Sequence, residues 1–211
     1  MLKESFVQKQ NRAMKILRRL KKSYPNAGMI LKYKTPMQLL AAVILSAQAT
    51  DAQVSKLTQN LFKKYKTVDD FASANLRKFT LEVARVNFYN NKARFIVGAA
   101  RMIRDKYGGK LPRDISEMVK LPGVARKTAN IVLQEVHGVI AGIAVDTHVK
   151  RVAYNLRLTE EKDPVKIERD LMLLFPRKEW RNVAFLFQTY GREAMPARGK
   201  PKTEDVLRSL Y

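Results

Sequence analysis

The sequence contains no cysteine, only two histidines, one tryptophan and 19 acidic residues in a length of 211. Each shortage excludes something. Without cysteine there is no disulfide, no thiolate zinc site, no thiolate-held iron–sulfur cluster and no cysteine nucleophile. His137 and His148 alone do not make a histidine-rich metal site. The longest clean apolar run, Leu39–Leu45, falls far short of the roughly 20 residues a membrane span needs. Residues 1–12 hold no apolar signal core, so the expectation is a soluble, cytoplasmic protein with no membrane association.

What is abundant is positive charge. Lys and Arg number 41, for a formal net charge of +22. With 46% hydrophobic and 28% charged residues, the chain should be globular, either one generous domain or two small lobes. Such a charge disfavours cationic small-molecule substrates. It favours a polyanionic partner, nucleic acid first and an anionic surface second. The charge is uneven: residues 1–34 carry ten Lys and Arg against Glu4 alone. A single charge run also reads as a solvated helix face, and only the total argues for nucleic acid.

The patterning is helical nearly throughout. A basic amphipathic segment, with Phe6, Met14, Ile16, Leu17 and Leu20 on its apolar side, ends at residues 23–28. Pro36 opens an apolar helix. Thr50 and Gln53 form a capping-box pattern for a helix to about Lys64. Further helices fit about 75–85, 91–107, 114–119, 125–137, 147–155, 164–175 and 180–191, with a short one at 203–210. Only Val139–Val145 is strand-like, and Gly142 interrupts it. One such run cannot make a sheet, so the fold class is all-α.

The most informative stretch is Leu121-Pro122-Gly123-Val124-Ala125-Arg126-Lys127-Thr128-Ala129-Asn130. Pro122 stops one helix, Gly123 permits a tight turn, and a second helix begins with bare backbone N–H groups. That is a phosphate site of sequence-independent kind; it is equally a plain connection between two helices. Lys127 falls in the first helical turn, where the dipole disfavours an ammonium and so favours a nucleophilic amine. Phosphate binding is the other reading. Further on, Asp146 precedes Thr147-His148. It reads as an ordinary N-cap, and also as an always-ionised carboxylate suited to a developing sugar cation.

Several stretches together resemble the endonuclease III family of helix-hairpin-helix DNA glycosylases. They are Ser46-Ala47-Gln48-Ala49-Thr50-Asp51, Phe88-Tyr89-Asn90-Asn91-Lys92-Ala93, the hairpin Leu121–Asn130, Ala144–His148, and Gly191-Arg192. Their order spans about residues 12–193. The resemblance implies two helical lobes: a six-helix barrel lobe over 31–139, with the helix-hairpin-helix at about 114–137, and a second lobe from 1–30 and 140–211. It further implies base-excision repair of double-stranded DNA carrying a damaged base or abasic site. The activity implied is a bifunctional glycosylase for oxidised or ring-saturated pyrimidines, with lyase cleavage by β-elimination. A monomer on one duplex is the default.

By the same resemblance Lys127 is the nucleophile and Asp146 the catalytic carboxylate. Gln48 fills the gap left by a flipped nucleotide; it also reads as a polar tie between two helices. Phe88 stands where the family has an aliphatic wedge, and also reads as an apolar residue packed under a loop. Asp51, Tyr89, Asn90, Gly123, Val124, Ala125, Arg126, Thr128 and His148 join the DNA-binding set. Main-chain carbonyls of Val119, Leu121 and Val124 match a monovalent-cation site of the superfamily hairpin.

Besides Phe88, the chain departs from the family pattern in four places. It lacks the four cysteines of the usual 4Fe–4S cluster, so no cofactor is expected beyond the hairpin cation. Met195, Val206, Leu207, Leu210 and Tyr211 would replace the cluster by apolar packing. Ala125 stands for the hairpin's second glycine, and Asn87 for the glycine of the wedge loop. The Lys127–Asp146 stretch is one residue longer than the family type. Two other readings remain: a monofunctional glycosylase for another base, and a non-catalytic DNA-binding module.

Overall fold

The computed structural model describes residues 4–201 and 203–210. Regular structure among them consists of α-helices and short 3-10 turns, with no strand. No helix among the described residues is long and apolar enough to cross a membrane. The chain forms two compact units. One comprises Ile30–Val139; the other joins the chain up to Met29 with the chain from Ile140.

The first helix, α1 (Phe6–Ser23), belongs to the unit made from the chain ends. The middle unit is built around α2 (Pro36–Ser46), in which every residue from Met37 to Leu45 is buried. A helix apolar on all sides belongs inside, and α2 packs against α3 (Asp51–Lys64), α6 (Tyr89–Tyr107) and α8 (Arg126–His137). Pro36 occupies its first turn, and Thr35 caps it by accepting from Gln38 N at 3.3 Å. Gln38, polar and buried in this setting, is satisfied on both ends of its amide. Nε2 donates to Phe62 O (3.1 Å) and Tyr65 O (2.9 Å), while Oε1 accepts from Lys34 N (2.9 Å). The short helices α4 (Val68–Ala72) and α5 (Leu76–Glu82) bring Phe71 and Phe79 against Tyr65, with ring centroids 5.3 and 5.0 Å away. Helix α6 crosses α2, α4 and α5 and ends at Gly108 in a left-handed conformation. The four-residue α7 (Ile115–Met118) leads into the hairpin before α8.

The unit from the chain ends packs α1 against α10 (Pro164–Leu174) and α11 (Trp180–Glu193), and α9 (Thr147–Asn155) also packs against both. Its core takes Ala13, Ile16, Leu17 and Leu20 from α1, a helical i, i+3, i+4, i+7 stripe. Phe175 and Phe187 meet edge to face at 5.9 Å. The chain end lies on the same core. Leu207 is fully buried in it, and Met195, Val206 and Leu210 are partly buried against it. Asp205 accepts from Tyr190 Oη (2.5 Å) and Leu207 N (2.9 Å), and Arg19 donates to Val206 O (3.2 Å).

The structure differs from the sequence expectations at four points. Helix α4 has no counterpart in the sequence reading, because a single turn closed by the Thr67/Asp70 capping box leaves no periodic signal. The expected helix at 203–210 is only a 3-10 turn at Arg208–Leu210; apolar anchoring rather than helical propensity holds it, and Tyr211 lies outside the described residues. Phe6 is exposed, because the apolar stripe of α1 runs on past its core, which starts at Ala13. Val139–Val145 is irregular; Ile143 and Val145 are simply core side chains.

Candidate active site

The candidate residues fall on both units. In the middle unit, Gly123 turns the hairpin with φ of +75°. A Cβ there would lie 2.6 Å from Phe95 Cβ, so glycine is required by both backbone and space. Pro122 packs on Gly98 of the same helix, 3.4 Å from where its Cβ would stand. Helix α6 therefore braces the hairpin. Val124 is buried and donates to Leu121 O at 3.1 Å.

Ala125 is the N-cap of α8 and offers no side-chain cap. Most helices of the chain are capped differently: Ser5, Thr35, Thr50, Thr67, Asn75, Asp114, Asp146 and Asp163 each accept a first-turn N–H. An alanine cap leaves that task to something outside the helix. Arg126, Lys127 and Thr128 follow as the first three residues. Lys127 is half-buried, and its ammonium has no hydrogen bond or ion pair with any described residue of its unit.

Gln48 and Phe88 stand on the α2–α3 and α5–α6 connections, and both are exposed. Their backbones are left-handed, with φ of 53° and 57°, a conformation that strains residues other than glycine. Phe88, 60% exposed, is not packed under a loop. Gln48 ties no helices together through its amide; instead its main-chain carbonyl accepts from Asn87 Nδ2 at 3.0 Å. The buried ammonium of Lys92 donates to Leu45 O (2.8 Å) and Ala47 O (2.5 Å) at the end of α2. Burial holds its pKa below the usual lysine range. Asp51 is the first residue of α3, and Tyr89 and Asn90 are the first two of α6.

In the other unit, Asp146 caps α9. Its Oδ1 accepts from His148 N (2.9 Å) and Val149 N (2.8 Å), and its Oδ2 accepts from Gln188 Nε2 (2.6 Å). Both oxygens are thus aimed by their donors. His148 meets a residue of its own helix: the Arg151 guanidinium, which can only donate, reaches Nδ1 at 3.1 Å. Desolvation depresses the His148 pKa, with Arg151 and Arg192 adding to the depression and Asp146 opposing it. Arg151 also donates to Gly191 O (2.6 Å) and Met195 O (2.9 Å). A Cβ on Gly191 would lie 3.0 Å from His148 Cβ and Val152 Cγ2. This glycine lets α9 and α11 approach, which gives Gly191 a physical reason. Among the described residues no group of three or more His, Asp and Glu could hold a metal ion.

Sequence reasoning missed Gln188, Arg151 and Phe95. Each acts through a partner on another element. Phe95 and Gln188 are ordinary helix residues with no local signature. Arg151 was visible only as one more cation in a basic chain.

The class follows from comparison with known proteins. Residues 41–177 match the family model described as HhH-GPD superfamily base excision DNA repair protein. The chain is 45% identical over 190 residues to endonuclease III of Synechocystis sp., covering 90% of this chain and 87% of the relative. It is 41% identical over 188 residues to endonuclease III of Bacillus subtilis, covering 89% and 85%. Among solved structures, a trapped endonuclease III–DNA covalent intermediate matches with a TM-score of 0.87 and 38% identity, over 95% of this chain and 91% of that one. The chain belongs to the endonuclease III family of the HhH-GPD superfamily.

Proposed function

We propose that the protein is a bifunctional DNA glycosylase and abasic-site lyase of base-excision repair, acting on oxidised or ring-saturated pyrimidines in duplex DNA. Lys127 carries the reading: an unpartnered amine in the first turn of an uncapped helix, in a chain similar to an endonuclease III trapped covalently on DNA. Once the ammonium has given up a proton, the amine lone pair attacks the sugar C1′, the C1′–N bond breaks, and the base leaves with that electron pair and takes up a proton. Loss of the ring oxygen from C1′ gives the Schiff base. Removal of a C2′ proton then expels the 3′ phosphate, cutting the strand on the 3′ side of the lesion.

Asp146 serves as the carboxylate that stabilises positive charge at C1′ and activates Lys127. The fixed orientation of both its oxygens suits that task. Gln48 fills the space of the extruded nucleotide, and Phe88 wedges the opened stack. Arg126, Thr128 and the first-turn amides of α8 receive phosphate, with Asp51, Tyr89 and Asn90 beside the inserted residues. His148 contributes by shaping the Asp146 turn. The carbonyls of Val119, Leu121 and Val124 suit a monovalent cation, being neutral oxygen donors on one turn; Leu121 O keeps a second lone pair beside its bond to Val124 N. With the likeness to bacterial endonuclease III proteins, the cytoplasm is the place of action, and a monomer on one duplex the working form.

Borohydride trapping tests the reading, on one duplex holding a single thymine glycol and another holding an abasic site. The expected result is a covalent adduct on both, abolished by Lys127→Gln with DNA affinity retained. An adduct on the abasic site alone would move the base specificity elsewhere. No adduct on either, with tight binding, would overturn the lysine nucleophile and leave a water-using glycosylase or a binding module.

A further inference from the structure

Gln48 and Phe88 sit on different connections, yet the structure does not leave those connections independent. Asn87 Nδ2 donates to Gln48 O at 3.0 Å, reaching from the residue before Phe88 to the backbone of the other strained residue. Lys92 donates to Leu45 O and Ala47 O, the carbonyls at the end of α2 that a helix leaves without partners. Lys92 N in turn donates to Phe88 O at 3.1 Å, within the first turn of α6. Lys92 is only 5% exposed. A buried ammonium is tolerated only when hydrogen-bonded, so these two carbonyls fix its place. Its charge also complements the negative end of the α2 dipole.

Two left-handed residues therefore hold each other. Strained backbone persists where its surroundings over-determine it. Gln48 is constrained by groups from the Phe88 side, and Phe88 is joined through Lys92 to the end of the helix that leads to Gln48. Helix α6 supplies the common reference. Its first turn carries Phe88 and Lys92, and one turn further on Phe95 seats Gly123 of the hairpin.

We infer that Asn87 and Lys92 are positioning residues that make the Gln48 turn and the Phe88 loop one inserting device. Gap filling and wedging then occur as a single event, and the base opposite the lesion is sensed by both residues together. This rests on the reading of Gln48 and Phe88 as DNA-inserting residues. Independent loops would each lose freedom separately on the DNA; linked loops arrive already ordered. The bond depends on the side chain at position 87, since a glycine there would have nothing to reach Gln48.

The test is a set of double-mutant cycles on the rate of borohydride trapping with an abasic-site duplex, repeated with each of the four opposite bases. Gln48→Ala, Phe88→Ala and the pair are made in the parent and in an Asn87→Ala background. Asn87 is exposed, so its substitution leaves the fold intact. In the parent, each single change should slow trapping about tenfold and the pair little further. In Asn87→Ala, the two changes should multiply toward a hundredfold, and discrimination among opposite bases should shrink severalfold. Lys92→Met should give the same pattern if it folds, and Asn87→Ala carries the test if it does not. Effects that multiply already in the parent, or non-additivity unaltered by Asn87→Ala, would overturn the coupling. Gln48→Ala and Phe88→Ala without effect in any background would instead overturn the inserting roles on which the coupling rests.

Discussion

Gln188 on α11 donates to Oδ2 of Asp146 on α9 at 2.6 Å, while the first-turn amides of α9 hold Oδ1. The carboxylate is thereby fixed by donors from two helices. Replacing Gln188 with Leu should leave Oδ2 to water. A hydrogen bond to a charged group contributes about 1.5–3 kcal/mol, so a stability loss of about that size is expected, with single-turnover base release slowed roughly tenfold through misorientation. Thermal melting and quenched-flow kinetics on the same preparation read both. An unchanged rate in a destabilised protein would mean that the two backbone amides orient Asp146 unaided.

Gly123→Ala should be among the most damaging single-methyl changes in the middle unit. A left-handed φ at a residue with a Cβ costs about 1–2 kcal/mol, and the new Cβ meets Phe95 Cβ at 2.6 Å. Because that nearest atom belongs to any residue but glycine at position 95, Phe95→Ala should fail to rescue it. Urea midpoints of the single and double variants check this; full recovery in the double would show that the ring alone, not the turn, sets the requirement.

Leu207 is fully buried in the core against which Met195, Val206 and Leu210 also pack. Leu207→Ala should cost about 2–5 kcal/mol by transfer and cavity terms. Loss of the chain after Arg192 should cost more, since it also removes the bond between Tyr190 and Asp205. Denaturant unfolding measures both. A truncated protein as stable as the full chain would show that this segment does not act in place of a metal cluster.

The His148 pKa lies below its free value of 6.5, chiefly through desolvation. In the interval between the depressed value and 6.5, the unfolded chain binds more protons at this site than the folded one. Stability should therefore rise with pH through that interval, and its contribution is lost as the pH falls below it. His148→Asn, which keeps an acceptor for Arg151, should flatten this part of the stability–pH curve. A slope the same in both proteins would assign the acid sensitivity to other groups.

Legibility in the sequence followed the range of the interaction. The Thr50/Gln53 box, the Asp146 cap and Pro36 at a helix start all act within one turn, and each stands where its local pattern placed it. Hydrophobic periodicity located the long helices, and it failed where a stripe outran its core at Phe6 or where a helix had one turn, as at Val68–Ala72. Motif likeness supplied Gln48 and Phe88 as candidates, but not their left-handed backbones.

Composition and local pattern by themselves determined the all-helical class, the polyanionic partner, the absence of thiolate chemistry, and an amine and a carboxylate at two helix starts. These depend on residue identity and on neighbours a few positions away. Only the tertiary structure decided that Gln188 aims Asp146, that Phe95 makes Gly123 obligatory, and that Asn87 and Lys92 join two connections. Those partners are remote in sequence, and packing rather than local preference sets which side chains meet.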